Sequence, residues 1–357
     1  MAKGLVWLRT DLRLDDNPAL NAALNECEEV LAIYIFSNYQ WEEHNESNIK
    51  LEFLVNNLAL LTESLNKLGI SLIAINTDSY KTLPTDLSLF SSQKKIDHVF
   101  WNNEFGWNEA ERDLASKEAL KKINIKSSSF NDQVIYEPGF LKTGQGKPFS
   151  VFTPFKRRWI ENFDISFLDI AKPSKAKKSS DIKSDISDLN YNKTHSANLN
   201  LWPAGESAAQ KNLENFLQSK ADFYSESRNS PIIDGTSRIS PYLALGILSP
   251  KRCILEGLKL NNFEFTSGNK GICKWIDEIV WREFYRNIMF SFSKVSQNQP
   301  FQDYTRSIKW RHSDEELEAF YTGRTGFPIV DAGIRQMLAE GWMHNRLRMV
   351  VAMFFTK

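Results

Sequence analysis

The sequence predicts an α/β domain with a parallel five-stranded sheet, followed by an all-α domain. Two observations support this order. Short apolar runs alternate with amphipathic helical patterns from Gly4 to Phe130, and such alternation favours parallel strands joined by right-handed crossovers. Beyond Leu201 the apolar residues recur at helical spacing almost throughout.

The elements of the first domain are bounded by residues that favour strand and helix ends. Asn17 and Pro18 suit the cap and first residue of a helix, and Gly69 suits the position after a helix end. Asn108 is expected to cap a later helix, with Glu109 in its first turn. The predicted strands are 4–9, 30–36, 70–75, 96–101 and 125–130, and the longest intervening helices are 49–68, 83–93 and 108–123.

The stretch 171–199 is rich in Lys, Ser, Asp and Asn and poor in large apolar residues. Such composition is typical of a linker or a long surface loop. The sequence therefore predicts an α/β domain over 1–135, a connection over 136–204 containing this linker, and a helical domain over 205–357.

Composition excludes several classes of protein. The 357 residues carry no net charge and three widely spaced cysteines, Cys27, Cys253 and Cys273, which suggests neither disulfides nor a zinc site. An apolar leader and a membrane-length run are both missing, so a cytoplasmic protein is expected. Phosphate-binding glycine motifs, paired histidines and a Gly-x-Ser-x-Gly elbow are absent too. Difficult chemistry would therefore require a cofactor.

The stretch from Trp275 to Arg286 predicts a helix with two distinct faces. Ile276, Val280, Phe284 and Ile288 recur every fourth residue and form an apolar stripe. The other face combines a carboxylate, an indole, a guanidinium and a phenol. This face is either a solvated surface with a weak Glu278–Arg282 pair or a ligand site; the residues concerned are Glu278, Trp281, Arg282 and Tyr285.

Gly235-Thr-Ser-Arg-Ile-Ser240 precedes a predicted short helix. Ser240 is expected to be its N-cap, with Pro241 in the first turn. Hydroxyls and an arginine before a helix N-terminus suit an anion such as phosphate. Simple capping by Ser240 is the alternative.

Two helices are predicted near the end of the chain. Pro328 begins the first and Gly341 ends it, and Trp342 is expected to open the second. His344 has no second histidine or cysteine at ligand spacing, which disfavours a metal. The apolar run 349–355 lacks a helix cap, so we expect the chain to be a fragment of a longer protein.

These motifs together resemble the photolyase/cryptochrome family, and most of all its bacterial members that repair cyclobutane pyrimidine dimers. The resemblance extends over nearly the whole chain. It is carried by the runs Leu5-Val-Trp-Leu-Arg-Thr-Asp-Leu-Arg-Leu-Asp-Asp-Asn17, Phe152-Thr-Pro-Phe155, Gly235-Thr-Ser-Arg-Ile-Ser240, Trp281-Arg-Glu-Phe-Tyr285, Gly326-Phe-Pro-Ile-Val-Asp331 and Gly341-Trp-Met-His-Asn-Arg-Leu-Arg348.

The resemblance implies a Rossmann-like α/β antenna domain, a helical domain that binds FAD, and light-driven splitting of dimers in DNA by electron transfer from reduced FAD. It implies a monomer without a metal. The lesion pocket would be lined by Glu278, Trp281, Asn345 and Met349. FAD would be bound by Tyr224, Thr236, Ser237, Arg238, Ile239, Ser240 and Arg348. Trp310 would be the outermost electron-transfer tryptophan, and DNA would be contacted by Arg228, Arg282, Tyr285 and Arg346 besides Glu278, Trp281 and Asn345.

The resemblance also implies an antenna chromophore. His44, Asn108 and Glu109 match positions that contact 5,10-methenyltetrahydrofolate in folate-using members, while Gln297 replaces a lysine that some members supply. Folate is therefore expected, with a deazaflavin or an empty site as alternatives.

Three alternatives to dimer repair are considered. A cryptochrome-type photoreceptor is disfavoured because the four lesion-facing residues keep the repair pattern. A (6-4) photolyase is disfavoured because Asn345 stands where a second histidine would follow His344. The family continues beyond Lys357 with flavin-contacting acidic residues, the two inner tryptophans of the electron chain and the partner of Arg348. The chain alone is therefore expected to bind FAD weakly and repair poorly, and an inactive flavin- or DNA-binding remnant is the third alternative.

Overall fold

A computed structural model describes residues 2–189 and 200–357. The first part is a five-stranded parallel sheet in the order β3-β2-β1-β4-β5, flanked by helices, as predicted. Its elements are β1 (Lys3–Leu8), α1 (Pro18–Glu26), β2 (Glu29–Phe36), α2 (Asn38–Glu43), α3 (Asn48–Lys67), β3 (Ser71–Asn76), α4 (Leu83–Gln93), β4 (His98–Asn102), α5 (Trp107–Lys122) and β5 (Lys126–Phe130).

Alternating side chains of the central strand β1 enter two cores. Val6 and Leu8 belong to a large cluster that includes Ala23 of α1, whereas Leu5 and Trp7 belong to a second cluster on the other face. This alternation follows from the two-residue period of a strand. Because both faces are covered, β1 carries an uninterrupted apolar run, as buried parallel strands do.

The described part of the linker expected at 171–199 lies along the sheet. Lys178 N–H donates to the carbonyl of Glu28, and Ala74 N–H donates to that of Asp185, at 2.8 Å each. These bonds pair the polar stretch with backbone groups just before β2 and in the edge strand β3, which explains how a stretch without large apolar residues is held against a sheet. Residues 190–199 of the predicted linker lie outside the described residues.

The second part is helical, as predicted, and its longest described helix is Lys270–Ser291. Four 3₁₀ turns are interspersed among its described helices, at Ile165–Leu168, Ala221–Phe223, Ser293–Gln297 and Asp303–Ser307. The helices are α6 (Phe152–Glu161), α7 (Glu206–Ser219), α8 (Tyr224–Ser227), α9 (Ser240–Ala244), α10 (Pro250–Leu260), α11 (Lys270–Ser291), α12 (Asp314–Tyr321), α13 (Pro328–Glu340) and α14 (Asn345–Thr356).

The loop after β1 joins the sheet to the helical part. Leu12 N–H donates to the carbonyl of Leu245 at 3.1 Å, and the guanidinium of Arg13 donates to the carbonyl of Gly246 at 2.9 Å. Gly246 has a φ of +64°, and a Cβ there would overlap with the backbone of Thr10. The backbone segments at Thr10 and Gly246 can approach this closely only because residue 246 has no side chain.

Helices α13 and α14 pack through a small residue. Gly333 brings α14 close enough that an added Cβ would lie 3.1 Å from Val351. Val330, Ile334 and Leu347 are buried beside it, while Met353 and Phe355 on the same α14 remain half-exposed. The apolar run expected at 349–355 therefore forms a helix with one packed face and one exposed face.

Candidate functional site

Helix α11 presents the two faces that its sequence predicts. It begins at a cap in which Asn269 Oδ1 accepts from the N–H groups of Gly271 and Ile272, and it extends beyond the expected 275–286 in both directions. Ile276, Val280 and Phe284 are buried, which confirms the apolar stripe. Burial of this stripe fixes the rotation of α11, and with it the direction of the face that carries Glu278, Trp281, Arg282 and Tyr285.

Glu283 attaches α11 to the segment that follows the sheet. Its carboxylate accepts from Ile135 N–H at 2.8 Å, from Tyr136 N–H at 3.1 Å and from Trp159 Nε1 at 2.9 Å. Burial raises the pKa of Glu283 to about 7 despite these bonds. Because the three donors come from the 135–136 segment and from α6, Glu283 fixes both against the functional face of α11.

Arg282 does not form the pair with Glu278 that helical spacing suggests. Its guanidinium donates instead to the carbonyl of Gln133 and, at 3.2 Å, to the carbonyl of Leu243. Burial lowers its pKa to about 10. Arg282 therefore links the segment after the sheet to α9. Unlike an exposed arginine that could bind a phosphate, it already donates to two backbone carbonyls.

Trp281 lies within a stack of aromatic rings. The ring of Phe152 from α6 lies 3.7 Å from the indole, with the planes 10° apart. Tyr285, one turn along α11, lies 5.6 Å away at 27°, and Phe284 meets the indole edge-on. The indole is half-buried, and its neighbours restrict its plane.

Glu278 is paired with Arg228, a residue from the end of α8. Nη1 of Arg228 donates to Oε1 of Glu278, while Oε2 of Glu278 has no hydrogen-bond partner in the part of the chain that the structure describes. The guanidinium of Arg228 also lies 5.5 Å from the ring of Tyr224. Tyr224 is buried, which raises the pKa of its hydroxyl to about 12.

The residue after Arg228 reaches the other helix of the site. Asn229 Oδ1 accepts from Nη2 and Nε of Arg346, at 2.6 and 3.0 Å. Arg346 lies in the first turn of α14 beside Asn345, whose amide is 3.9 Å from the sulfur of Met349. Residues 228 and 229 therefore bring the predicted lesion-facing residues of α11 and α14 to one region.

The segment 236–240 adopts a different local structure from the one predicted. Helix α9 begins at Ser240, its cap position is Ile239, and no side chain caps it. Ser240 is therefore not the N-cap, because Ile239 already has helical φ and ψ. Arg238 has a φ of +48°, and its guanidinium lies 4.6 Å from the ring of Trp342.

The surroundings of this segment contain N–H groups that lack acceptors. Nε of Arg238 and Nε2 of His344 are buried and have no hydrogen-bond partner among the described residues. The nearest carboxylate to Arg238 Nε, that of Asp234, is 3.6 Å away, which is beyond a hydrogen bond. Donors left in this state suit a bound molecule rich in acceptors.

The remaining predicted site residues make no side-chain hydrogen bond to this region in the described part of the chain. Trp310 is 65% exposed, and Arg348 is exposed and makes no side-chain hydrogen bond or ion pair with any described residue. His44 ends α2, and Asn108 and Glu109 lie in the first turn of α5. Asn108 is not the N-cap, because Gly106, two residues earlier, occupies the cap position and α5 starts at Trp107.

A charged network fills the edge of the sheet where strand order reverses, between β1 and β4. Arg9 donates to Asp113 at 2.5 Å, and Arg112 donates to Glu104 at 2.8 Å. Although burial opposes it, the two arginines lower the pKa of Glu104 to about 2. The guanidinium of Arg112 also lies 4.9 Å from the rings of Trp7 and Tyr80. Ligands of such sheets usually bind at this edge, which here is occupied by the protein's own side chains.

Residues 2–189 and 200–357 contain no helix with the length and apolarity needed to cross a bilayer. They also contain no group of histidine, cysteine, aspartate or glutamate side chains that could hold a metal ion.

Several residues of the site were not anticipated from the sequence. Phe152, Glu283 and Asn229 each bond or stack with a residue distant in the chain, which spacing within one helix cannot reveal. From the sequence alone, His344 stands out only as a histidine without a second metal ligand at suitable spacing. The available signal is that Phe152, Glu283 and His344 stand in runs that resemble the family, whereas Asn229 does not.

Two family models match the chain. The model described as DNA photolyase matches residues 4–177, and the model described as FAD binding domain of DNA photolyase matches residues 275–357. Together they cover most of the sequence, including β1 to β5, α11 and α14.

Similar proteins are found in several bacteria. A deoxyribodipyrimidine photo-lyase from Escherichia coli is 36% identical over 100% of this chain and 75% of the relative. The crystal structure of a class III photolyase from Agrobacterium tumefaciens superposes with a TM-score of 0.87 at 32% identity, covering 100% of this chain and 73% of that one. A cryptochrome from Synechocystis shares the fold, with a TM-score of 0.82 at 22% identity over 100% of this chain and 75% of that one.

Proposed function

The chain belongs to the DNA photolyase family, and on this basis we propose that it splits cyclobutane pyrimidine dimers in DNA, using light and FAD. The observation that carries the proposal is the arrangement of Glu278, Trp281, Asn345 and Met349 on α11 and α14. The two helices are linked by adjacent residues, because Arg228 bonds to Glu278 of α11 and Asn229 bonds to Arg346 of α14. The relative named deoxyribodipyrimidine photo-lyase, at 36% identity, supports the same reaction.

FAD would be held by Tyr224 and the segment 236–240. The fit is supported by the buried N–H groups of Arg238 and His344, which lack acceptors, since the diphosphate of FAD offers several acceptor oxygens. Arg348 is proposed as a further contact. Once bound, the reduced cofactor supplies the electron that light transfers to the dimer, and Trp310 is proposed as the outer tryptophan that restores the reduced state.

Trp281 would receive the dimer after it leaves the double helix. Flipping a base out costs a few kcal/mol, and least for a damaged base that stacks poorly. Stacking on an aromatic side chain returns about 1–3 kcal/mol per base. Because Phe152 and Tyr285 restrict the indole plane, little conformational entropy is lost when a base stacks on it.

Glu278 would recognise the edge of the flipped pyrimidine. Arg228 binds only Oε1, so Oε2 remains able to accept an N–H from the base. Asn345 provides both a donor and an acceptor, and Met349 an adaptable apolar surface. Together these groups would distinguish a pyrimidine dimer from an aliphatic or anionic ligand.

Arg228 and Arg346 would contact the DNA backbone. Both are held at one region by Glu278 and Asn229, and arginine binds phosphate with good geometry. Such contacts give affinity without sequence preference. Tyr285, which is 58% exposed, is proposed as a neighbouring contact. Arg282 is proposed to support the DNA-binding face indirectly, through its bonds to Gln133 and Leu243.

We propose a methenyltetrahydrofolate antenna bound near His44, Asn108 and Glu109. The filled sheet edge supports a site outside that crevice, because moving Arg9 or Arg112 to admit a ring system would leave a buried charge unpaired. The test is to titrate the protein with the folate and follow its near-UV absorbance. Binding that persists unchanged in His44→Ala and Glu109→Gln would contradict this location.

The experiment that tests repair uses the chain loaded with reduced FAD and an oligonucleotide containing one thymine dimer. We expect light-dependent loss of the dimer, none in darkness, and slower loss with Trp281→Ala at the same DNA concentration. Flavin content is measured first, since the chain covers 75% of its E. coli relative. Stoichiometric flavin without repair would instead favour the cryptochrome-type photoreceptor. Absence of both flavin and repair would favour a remnant.

We propose a monomer, which light scattering of the same sample checks.

A further inference from the structure

His344 is a buried histidine whose tautomer the structure determines. It is 3% exposed and occupies the cap position of α14, where its Nδ1 accepts from the N–H of Arg346 at 3.1 Å. A neutral imidazole carries one proton, and the nitrogen that accepts a hydrogen bond is the one without it. The proton of neutral His344 is therefore on Nε2.

This Nε2–H group has no partner among the described residues. Burial lowers the pKa of His344, and the nearby charges of Arg346, Arg238 and Arg228 lower it further, so the ring is neutral near pH 7. A buried donor without an acceptor costs about 1–3 kcal/mol. The three charges that act on the imidazole are all positive, although Glu278 and Glu340 each pair with one of these arginines. An anionic acceptor would satisfy the donor and add to the charge balance of the arginines.

A chain of contacts connects His344 to the segment 236–240. His344 N–H donates to Oε1 of Gln336 at 3.2 Å, and the amide of Gln336 donates to Glu340 at 3.4 Å. Glu340 in turn accepts from Arg238 at 3.4 Å. The ring of Trp342 is near both residues, 4.6 Å from the guanidinium of Arg238 and 6.2 Å from the imidazole of His344.

We propose that His344 is a further FAD-binding residue, whose Nε2–H donates to the diphosphate of the cofactor. The diphosphate is the anionic group of oxidised FAD, and the second unpartnered donor, Arg238 Nε, belongs to the same network. The proposal rests on the proposed placement of the diphosphate at 236–240. It also gives α14 a direct connection to the cofactor, since the same imidazole caps the helix that carries Asn345 and Met349.

Two substitutions separate the cap from the donor. His344→Asn keeps an oxygen that caps α14 but loses the donor at the Nε2 position. His344→Gln places an amide N–H near that position but caps poorly. Oxidised FAD is titrated into each protein by flavin fluorescence, and the unfolding temperature of the cofactor-free protein is measured separately.

We expect His344→Asn to weaken FAD binding about 10- to 100-fold, as loss of a hydrogen bond to a charged group does, with an unchanged unfolding temperature. His344→Gln should retain more affinity while unfolding at a lower temperature. ADP, which has the diphosphate without the flavin, should lose affinity for His344→Asn in parallel, whereas riboflavin should not. Unchanged affinity for FAD, or a loss seen with riboflavin alone, would overturn the proposal.

Arg238→Ala distinguishes this outcome from failure of the proposed FAD site. If Arg238→Ala weakens ADP and FAD binding and His344→Asn does not, the placement stands and the role of His344 is wrong. If neither substitution changes the affinity, the diphosphate binds elsewhere and both ideas are wrong.

Discussion

The phenyl ring of Phe152 stacks on the indole of Trp281, 3.7 Å away and nearly parallel. The two residues come from α6 and α11, which Glu283 also connects through its bond to Trp159. An aromatic pair of this kind contributes about 0.5–1.5 kcal/mol beyond burial. The plane that a flipped base would meet is therefore set before any DNA binds.

Trp281→Ala should weaken binding of dimer-containing DNA about 5- to 150-fold, because stacking contributes about 1–3 kcal/mol per base. FAD binding should be retained, since Trp281 is remote in sequence from 236–240 and bonds to none of those residues. Fluorescence anisotropy with damaged and undamaged duplexes measures the effect. Equal affinity of wild type and variant for the damaged duplex would show that this face of α11 is only a solvated surface.

Gly246→Ala should destabilise the protein by about 2–4 kcal/mol, since the new Cβ would overlap with Thr10 and the φ of +64° is unfavourable for alanine. Gly144→Ala is the matched control. A Cβ at Gly144 meets nothing within 4 Å, so we expect a change within about 0.5 kcal/mol. Urea unfolding measures both, and similar effects for the two would mean that the junction at Gly246 adapts.

The fold was largely predictable because its determinants are local. All five predicted strands are observed within two residues of their expected bounds. Helix α3 ends at Lys67, with Leu68 as its cap and Gly69 next, at a φ of +79°. Buried strands and helix ends are encoded by neighbouring residues. The prediction of Ser240 as the helix cap was wrong. A cap residue requires an extended backbone, but Arg238 has a positive φ, Ile239 already has helical φ and ψ, and Ser240 lies inside α9.

The site was predictable only as a set of residues. Helical spacing pairs Glu278 with Arg282, yet Glu278 binds Arg228 and Arg282 binds two carbonyls. Both sets of bonds are to residues distant in sequence. These partners displace the weak ion pair that Glu278 and Arg282 could form across one helical turn. Family resemblance named Arg228 and Glu278 separately, but only the structure relates them to each other.

Glu283→Gln should remove a pH dependence from stability. The pKa of Glu283 is raised to about 7 in the folded protein, chiefly by burial, from 4.5. Between these values the folded state binds more protons than the unfolded state, so the stabilisation present below pH 4.5 is lost as pH rises to about 7. The amide imitates the protonated acid at every pH.

The difference in unfolding free energy between wild type and Glu283→Gln should therefore change by about 3 kcal/mol from pH 4.5 to 7, in favour of the variant at high pH. Comparison of the two proteins cancels other buried acids such as Asp11, whose pKa is also raised, to about 6. Parallel stability curves would mean that the three donors to Glu283 keep its carboxyl ionised.

Arg346 and Arg282 should respond differently to the same substitution. Arg346 is bonded to Asn229 near the surface, and a phosphate can replace that neutral partner at little cost. Arg346→Gln should therefore weaken binding to damaged and undamaged duplexes alike and reduce the slope of log affinity against log salt by about 1.

Arg282→Gln would leave the carbonyls of Gln133 and Leu243 without their donor, at about 1–3 kcal/mol each. Its main effect should be a lower unfolding temperature, with the salt slope unchanged at temperatures where the variant is folded. A reduced salt slope for Arg282→Gln would instead mean that this buried guanidinium reaches the DNA, and that its two carbonyl bonds break when the complex forms.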